Sequence, residues 1–200
     1  MKITIVYDNE ASRELKSGWG FSCLIETEEK ILFDTGDDGE KLIYNMKHLN
    51  VVPETIDKVV ISHNHWDHTG GLKKFLELNN NAKVLQPKSF SKPTEISPGI
   101  YSTGALGTFI KEQSLVVNTE KGNLVITGCA HPGLAKIIDK ATQLGRIYGV
   151  LGGFHGFSKL EKLRGIKIIA PCHCTQHIQQ IRQSYPAEFK EIRAGTILEV

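Results

Sequence analysis

In the stretch "ISHNHWDHTGG", Ile61 to Gly71, three histidines and an aspartate fall within six consecutive positions: His63, His65, Asp67 and His68. Crowding or burying three imidazoles and a carboxylate without a counter-ion would cost several kcal/mol, so this density reads as a metal-ligating set. In an extended or tightly turned loop His63 and His65 point the same way and can share one ion. Asp67 and His68, turned by the loop, can then face a second ion beside the first. The stretch is half of a two-metal site on this reading. Gly70 and Gly71 let the chain fold back and start a helix close to the ions, where a Cβ would crowd them. Imidazole with carboxylate suits zinc, and also manganese or iron.

The other half must come from further along the chain. His131 follows "NLVITG", His155 follows "IYGVLGG" and His173 follows "IKIIA", as the first cluster follows "KVVIS". Each segment is a predicted strand, and donors at strand ends are what a cleft at one edge of a sheet requires. His48 reads instead as a satisfied core or surface residue of an amphipathic helix. His177 is read the same way, although one helical turn separates it from His173. "PCHCT" resembles a zinc knuckle of Cys172, His173 and Cys174, but adjacent side chains on an extended segment point to opposite sides. His173 is therefore taken as the ligand and the cysteines as packing or support. Cys129, two residues before His131 in "GCAH", could face the metals as a thiolate.

The elements that would position these residues alternate between strand and helix. "KITIVY", "FSCLIET" and "ILFD" read as strands between turn formers such as "SGWG" and "TGDDG". "GEKLIYNMKHL" has apolar residues at helical spacing, and the strand "KVVIS", helix "GLKKFLEL" and strand "AKVLQ" follow. "PKSFSKPTEISPG", rich in Pro and Ser, is expected to be a surface loop. "SLVVNT" and "NLVITG" read as strands paired across "EKG", and "PGLAKIIDKATQ" as a helix opened by Pro132 at its first turn. The strand "IYGVLGG", a short helix around "SKLEKL", the strand "IKIIA" and the helix "TQHIQQIRQSY", closed by Pro186, complete a layered α/β pattern.

Composition narrows the function classes. A chain of 200 residues with 40% hydrophobic and 23% charged residues is long enough for a real core and is not disordered. A single domain spanning residues 1–200 is expected. The formal charge of +2, without a long basic run, argues against a nucleic-acid or membrane-surface protein and for a small-molecule substrate. "MKITIVYDNE" has no apolar stretch suited to a signal peptide or membrane span, and four cysteines, two of them flanking a histidine, suit a reducing compartment. A cytoplasmic location is expected.

"SHNHWDHTGG" resembles the H-x-H-x-D-H signature of the metallo-β-lactamase superfamily, and "ILFDTG" resembles that family's early Asp motif. The resemblance covers essentially the whole chain and implies an α/β fold, a four-layer αβ/βα sandwich with the site at one edge. It also implies that His63, His65 and His131 hold one ion and Asp67, His68 and His173 the other, with Asp34 supporting the metal loop from behind. "YDNEA", "GFSCLIET", "EQSLVV", "GCAHPG", "LGGFH" and "PCHCT" are similar to one branch of metal-dependent hydrolases. That branch includes the archaeal 7,8-dihydropterin-6-methyl-4-(β-D-ribofuranosyl)aminobenzene 5'-phosphate synthase. Gln176 departs from the branch, which usually shows Gly there. Diiron redox members of the superfamily replace the second histidine of the cluster by a carboxylate, whereas this chain has His65, so hydrolytic chemistry is favoured.

Two cations lower the pKa of a bridging water to near neutrality and polarise a carbonyl or phosphoryl oxygen. Asp67 would orient the hydroxide and His155 would give a proton to the leaving group. The family's bridging Asp is absent, because "GVLGGFHG" offers no carboxylate; water is the expected bridge, with a Cys129 thiolate as the alternative. The function expected is hydrolysis of a small ester, lactone, amide or phosphodiester. Alternatives are a transferase joining a dihydropterin diphosphate to an aromatic nucleophile, and a metal-dependent binding or sensing protein. Trp19, Phe21, Trp66 and Phe154 are candidates for an aromatic substrate pocket.

Overall fold

The computed structural model describes residues 1–200, which form two compact units, Met1–Pro87 with Ile192–Val200, and Lys88–Glu191. No helix is long and apolar enough to cross a membrane.

In the first unit, β1 (Lys2–Tyr7), β2 (Ser22–Glu26) and β3 (Lys30–Phe33) form an antiparallel meander. Helix α1 (Gly39–His48) follows, and β4 (Lys58–Val60) then lies parallel to β3. A single turn α2 (Trp66–Thr69) and helix α3 (Leu72–Leu78) lead to β5 (Lys83–Leu85), parallel to β4. The C-terminal strand Ile197–Glu199 joins the free side of β1, giving a six-stranded mixed sheet. Five of the six residues of β1 are buried, the mark of a strand covered on both faces. Leu42 and Met46 of α1 and Phe75 of α3 pack with Val6, Leu24, Leu32 and Val59. Asp38 caps α1 by accepting from the Glu40 and Lys41 N–H groups at 2.8 and 3.2 Å. The buried Asn45 amide donates to the carbonyls of Val6 and Lys16, tying the helix to β1 and the loop after it.

In the second unit, β6 (Thr94–Ser97), β7 (Ile100–Ser102), β8 (Leu115–Thr119) and β9 (Gly122–Thr127) run antiparallel. Helix α4 (Leu134–Ala141) crosses to β10 (Ile147–Gly153), and β11 (Ile168–Cys172) follows, both parallel to β9. Helix α5 (Ile178–Ser184) ends the unit's regular structure. The sheet order is β11-β10-β9-β8-β7-β6. Leu134, Ile137, Ile138 and Ala141 of α4 bury one face against Val125, Val150 and Ile169.

The structure departs from the sequence reading at several elements, among them the strand Ile100–Ser102, which has no counterpart there, and the last helix, which begins at Ile178 rather than Thr175. Thr94–Ser97, inside the segment expected to be a loop, is an edge strand paired with β7; its flanking prolines lie just outside the ladder, where an edge strand tolerates them. Pro132 precedes α4 rather than opening it, because Gly133 at the cap takes φ 95° and the helix begins at Leu134. "SKLEKL" forms only a 3-10 turn, Leu160–Leu163. The strand Ile197–Glu199, short and largely exposed, has no counterpart in the sequence reading.

Candidate functional site

In the first unit the histidine-rich loop leaves β4 and returns through α2. Within α2 the carbonyl of His65 accepts from the N–H groups of His68 and Thr69 at 3.0 and 3.1 Å, so the chain turns between His65 and His68. His63 and His68 are fully buried and Asp67 nearly so. The His63 and His65 rings meet edge to face, with His63 Nε2 3.0 Å from His65 Nδ1. The His63 and His68 ring centroids are 4.3 Å apart. His68 Nε2 lies 3.8 Å from Asp67 Oδ2.

Asp34 fixes which nitrogens these rings offer. Its Oδ1 accepts the Ser62 N–H at 2.7 Å, and its Oδ2 lies 2.7 Å from both Ser62 Oγ and His68 Nδ1. A carboxylate only accepts, so His68 carries its proton on Nδ1 and presents the Nε2 lone pair. The Ser62 hydroxyl donates to Asp34 and its oxygen, 2.9 Å from His63 Nδ1, accepts there, so His63 likewise presents Nε2. One buried carboxylate therefore sets two imidazole tautomers. Asp34 holds φ 59°, a conformation unfavourable for a non-glycine residue, at the end of β3. Thr35 adds a second hold, since its N–H and hydroxyl both donate to the His68 carbonyl at 2.9 Å.

Gly70 and Gly71 lie against neighbouring backbone. Their φ values are ordinary, −60° and −81°. A Cβ on Gly70 would come within 2.1 Å of the Asp37 carbonyl oxygen, and one on Gly71 within 2.2 Å of the Thr35 carbonyl oxygen. The two glycines admit the backbone of the Asp34–Asp37 loop. Tyr7, buried beneath this loop, donates to the Asp37 carboxylate; burial and that carboxylate together push its hydroxyl pKa upward. Cys23 is a core residue, and burial, with the Asp34 charge as a second cause, pushes its thiol pKa up.

In the second unit three loops leave the ends of β9, β10 and β11. The first carries Cys129 and His131, with Ala130 at φ 57°; the second His155, at φ 47°; the third His173, at φ 49°. Three non-glycine residues in the left-handed region at three adjacent strand ends mark strain concentrated where the donors sit. The Glu112 carboxylate, buried, accepts the N–H groups of Cys129, Ala130 and His131 at 3.0, 2.9 and 2.8 Å. His131 and the exposed His155 have ring centroids 5.1 Å apart. Gln176 donates its N–H to the His155 carbonyl at 2.9 Å, and Thr175 Oγ1 accepts the Phe154 N–H at 3.0 Å, joining the second and third loops.

The cysteines divide by position. Cys174 Sγ reaches the Cys129 carbonyl oxygen at 3.8 Å, and hydrogen bonding from Cys129, against the opposing effect of burial, lowers its thiol pKa. A Cβ on Gly153 would lie 2.7 Å from Cys174 Sγ and 2.4 Å from the Gly128 carbonyl oxygen, so glycine there lets the three loops close together. Cys129 Sγ lies within 4.8 Å of a His173 ring nitrogen. Cys172 is buried at the end of β11. His131 also lines an open depression with Phe109, Ile110, Pro132 and Lys136, in which Phe109 is fully exposed.

Other sequence candidates fall away from chemistry. His48 is exposed and stacked on Tyr44, and His177 sits at the start of α5. Of the four aromatic candidates, Phe21 packs edge to face on Phe33 and Phe154 belongs to the second unit's core. Trp19 and Trp66, about half exposed or more, stay available to a ligand. Ser62, Thr35 and Glu112 lie in the quoted motifs "SHNHWDHTGG", "ILFDTG" and "EQSLVV", but the sequence reading assigned none of the three a role. The Ser-His and Asp-Thr adjacencies were visible as dipeptides, but only the fold gives them partners.

Residues 20–134 match the model of the Metallo-beta-lactamase superfamily. The chain is 27% identical to the 7,8-dihydropterin-6-methyl-4-(beta-D-ribofuranosyl)-aminobenzene-5'-phosphate synthase of Methanocaldococcus jannaschii, over 90% of this chain and 89% of that protein. It is 30% identical to an uncharacterized protein of the same organism, over 86% of this chain and 90% of that protein. A solved metal-dependent hydrolase of the beta-lactamase superfamily superimposes with a TM-score of 0.81 at 26% identity, covering 100% of this chain and 99% of that one. Two mixed sheets with flanking helices, as in these relatives, are the α/β fold of the metallo-β-lactamase type.

Proposed function

The chain belongs to the metallo-β-lactamase superfamily, and from that premise we propose that it is a binuclear metal-dependent hydrolase of a small ester, lactone, amide or phosphodiester. His63, His65 and His131 are the donors to one divalent ion, and Asp67, His68 and His173 the donors to the other. Zinc is the first choice of metal, and manganese or iron suits the same donors. Bound there, the ions supply Lewis acidity, which makes water a nucleophile near neutral pH and polarises the substrate oxygen.

The observation that supports this reading is the tautomer lock in the first unit, where Asp34 and Ser62 leave Nε2 as the lone-pair nitrogen of the buried His68 and His63. Buried imidazoles held in this way are pre-organised for a cation. Asp67 orients the attacking water by accepting its hydrogen bond. His155, exposed and next to His131, delivers a proton to the leaving group. Small-molecule substrate recognition falls to Trp19, Trp66 and the depression around Phe109.

A second reading is favoured by the identity to the archaeal synthase: the same donors would activate a diphosphate leaving group on a dihydropterin while an aromatic carbon or nitrogen attacks. A panel of chromogenic esters and phosphodiesters separates the readings. After zinc or manganese is restored, the hydrolase cleaves at least one member, and a chelator abolishes the cleavage. Diphosphate release that needs both co-substrates, with the panel untouched, establishes the transferase. Metal binding with neither activity points to a sensing role.

A further inference from the structure

We infer that Glu112 is a positioning residue for the His131 donor, the counterpart in the second unit of Asp34 in the first. This rests on the reading of His131 as a metal ligand. The carboxylate is 1% exposed and collects three successive backbone N–H groups, Oε1 taking those of Cys129 and Ala130 and Oε2 that of His131. Three consecutive N–H groups converge on one acceptor only if the chain curls, and Ala130 supplies the curl with φ 57°. An alanine in that conformation is strained, which charge-assisted hydrogen bonds to a buried carboxylate can offset.

Glu112 is itself fixed. Its backbone exchanges two hydrogen bonds with Leu106, at 2.8 and 3.0 Å, closing the turn that presents Phe109. The residue thus joins the loop that carries His131 to the loop that faces the depression beside it. Its directed product is the backbone position of residues 129–131, and with it the direction in which the His131 ring leaves the chain.

The pattern of acceptors makes a selective test. In Glu112→Gln the amide oxygen can occupy the Oε1 place and keep the Cys129 and Ala130 bonds, but its NH2 then faces the His131 N–H, donor against donor. That variant should fold and release His131. Zinc titration against a chromogenic chelator should show one ion weakened about ten- to a hundred-fold and the other unchanged, as for a residue that orients a ligand. In metal-free protein the His131 amide proton should move upfield in an amide correlation spectrum, more than those of Cys129 and Ala130. Glu112→Ala should weaken the same ion at least as much. His131→Ala, run in parallel, should lose that ion outright. If His131→Ala keeps both ions at full affinity, the ligand assignment falls, and this inference with it. If His131→Ala loses one ion while Glu112→Gln binds both normally, the ligand assignment stands and the role given to Glu112 is wrong, even if the variant is less stable.

Discussion

Asp34 Oδ2 lies 2.7 Å from His68 Nδ1, with both side chains wholly buried, and the same oxygen takes the Ser62 hydroxyl. This contact decides which imidazole nitrogen His68 offers. In Asp34→Asn an amide oxygen at the Oδ1 place keeps the Ser62 N–H, but the NH2 then faces His68 Nδ1. The imidazole must move its proton to Nε2, the atom needed for a metal. The variant should lose about ten- to a hundred-fold in affinity for the ion held by His68, measured by competition with a chelator. Affinity equal to the parent protein would reduce "FDTG" to a turn.

Gly71→Ala tests the close approach of the two loops in the first unit. The added Cβ would lie 2.2 Å from the Thr35 carbonyl oxygen and 2.8 Å from Leu42 Cδ2. Backbone cannot yield as a side-chain end can, so the variant should lose about 1–3 kcal/mol in denaturant unfolding. The entropy gained from a stiffer unfolded chain, about 0.4–1 kcal/mol, does not offset this. A variant of parent stability would show that the loops can separate at no cost.

His155 and Cys129 carry separable roles in the proposed chemistry. His155→Ala should retain both metals and lose about 10²-fold or more in turnover, in keeping with general acid catalysis. Cys129→Ser should be mild. If His155→Ala strips one metal, His155 is a ligand. If Cys129→Ser does so, the thiolate within 4.8 Å of His173 is part of the metal bridge and water alone is not.

What was legible in the sequence was what is local. The density of donors from His63 to His68 needs no fold to be noticed, and strands such as β1 and β10 stand out as runs of buried residues bounded by turn formers. Histidines just beyond strand ends could be named as site candidates for the same reason. The supports were hidden because they act across sequence separations that carry no signature. Ser62 meets Asp34 at 28 residues' distance, Thr35 meets His68 at 33, and Glu112 reaches its three N–H groups at 17 to 19. Glu112 opens "EQSLVV", a motif quoted for its resemblance, but nothing in its neighbours gives it a role. The left-handed turns at Asp34, Ala130, His155 and His173 were equally silent, since none is a glycine. Glycines 70 and 71 were noticed for a sound reason, a forbidden Cβ, but the neighbour that forbids it is backbone.

The proposed function requires two ions held through six side chains, and elemental analysis of protein purified without chelator tests it most directly. Near two divalent ions per chain are expected, with His131→Ala losing the ion shared with His63 and His65, and His173→Ala the one shared with Asp67 and His68. Substoichiometric metal that added zinc, manganese or iron does not restore would contradict the account, as would binding abolished by Cys172→Ser with Cys174→Ser and untouched by either histidine variant.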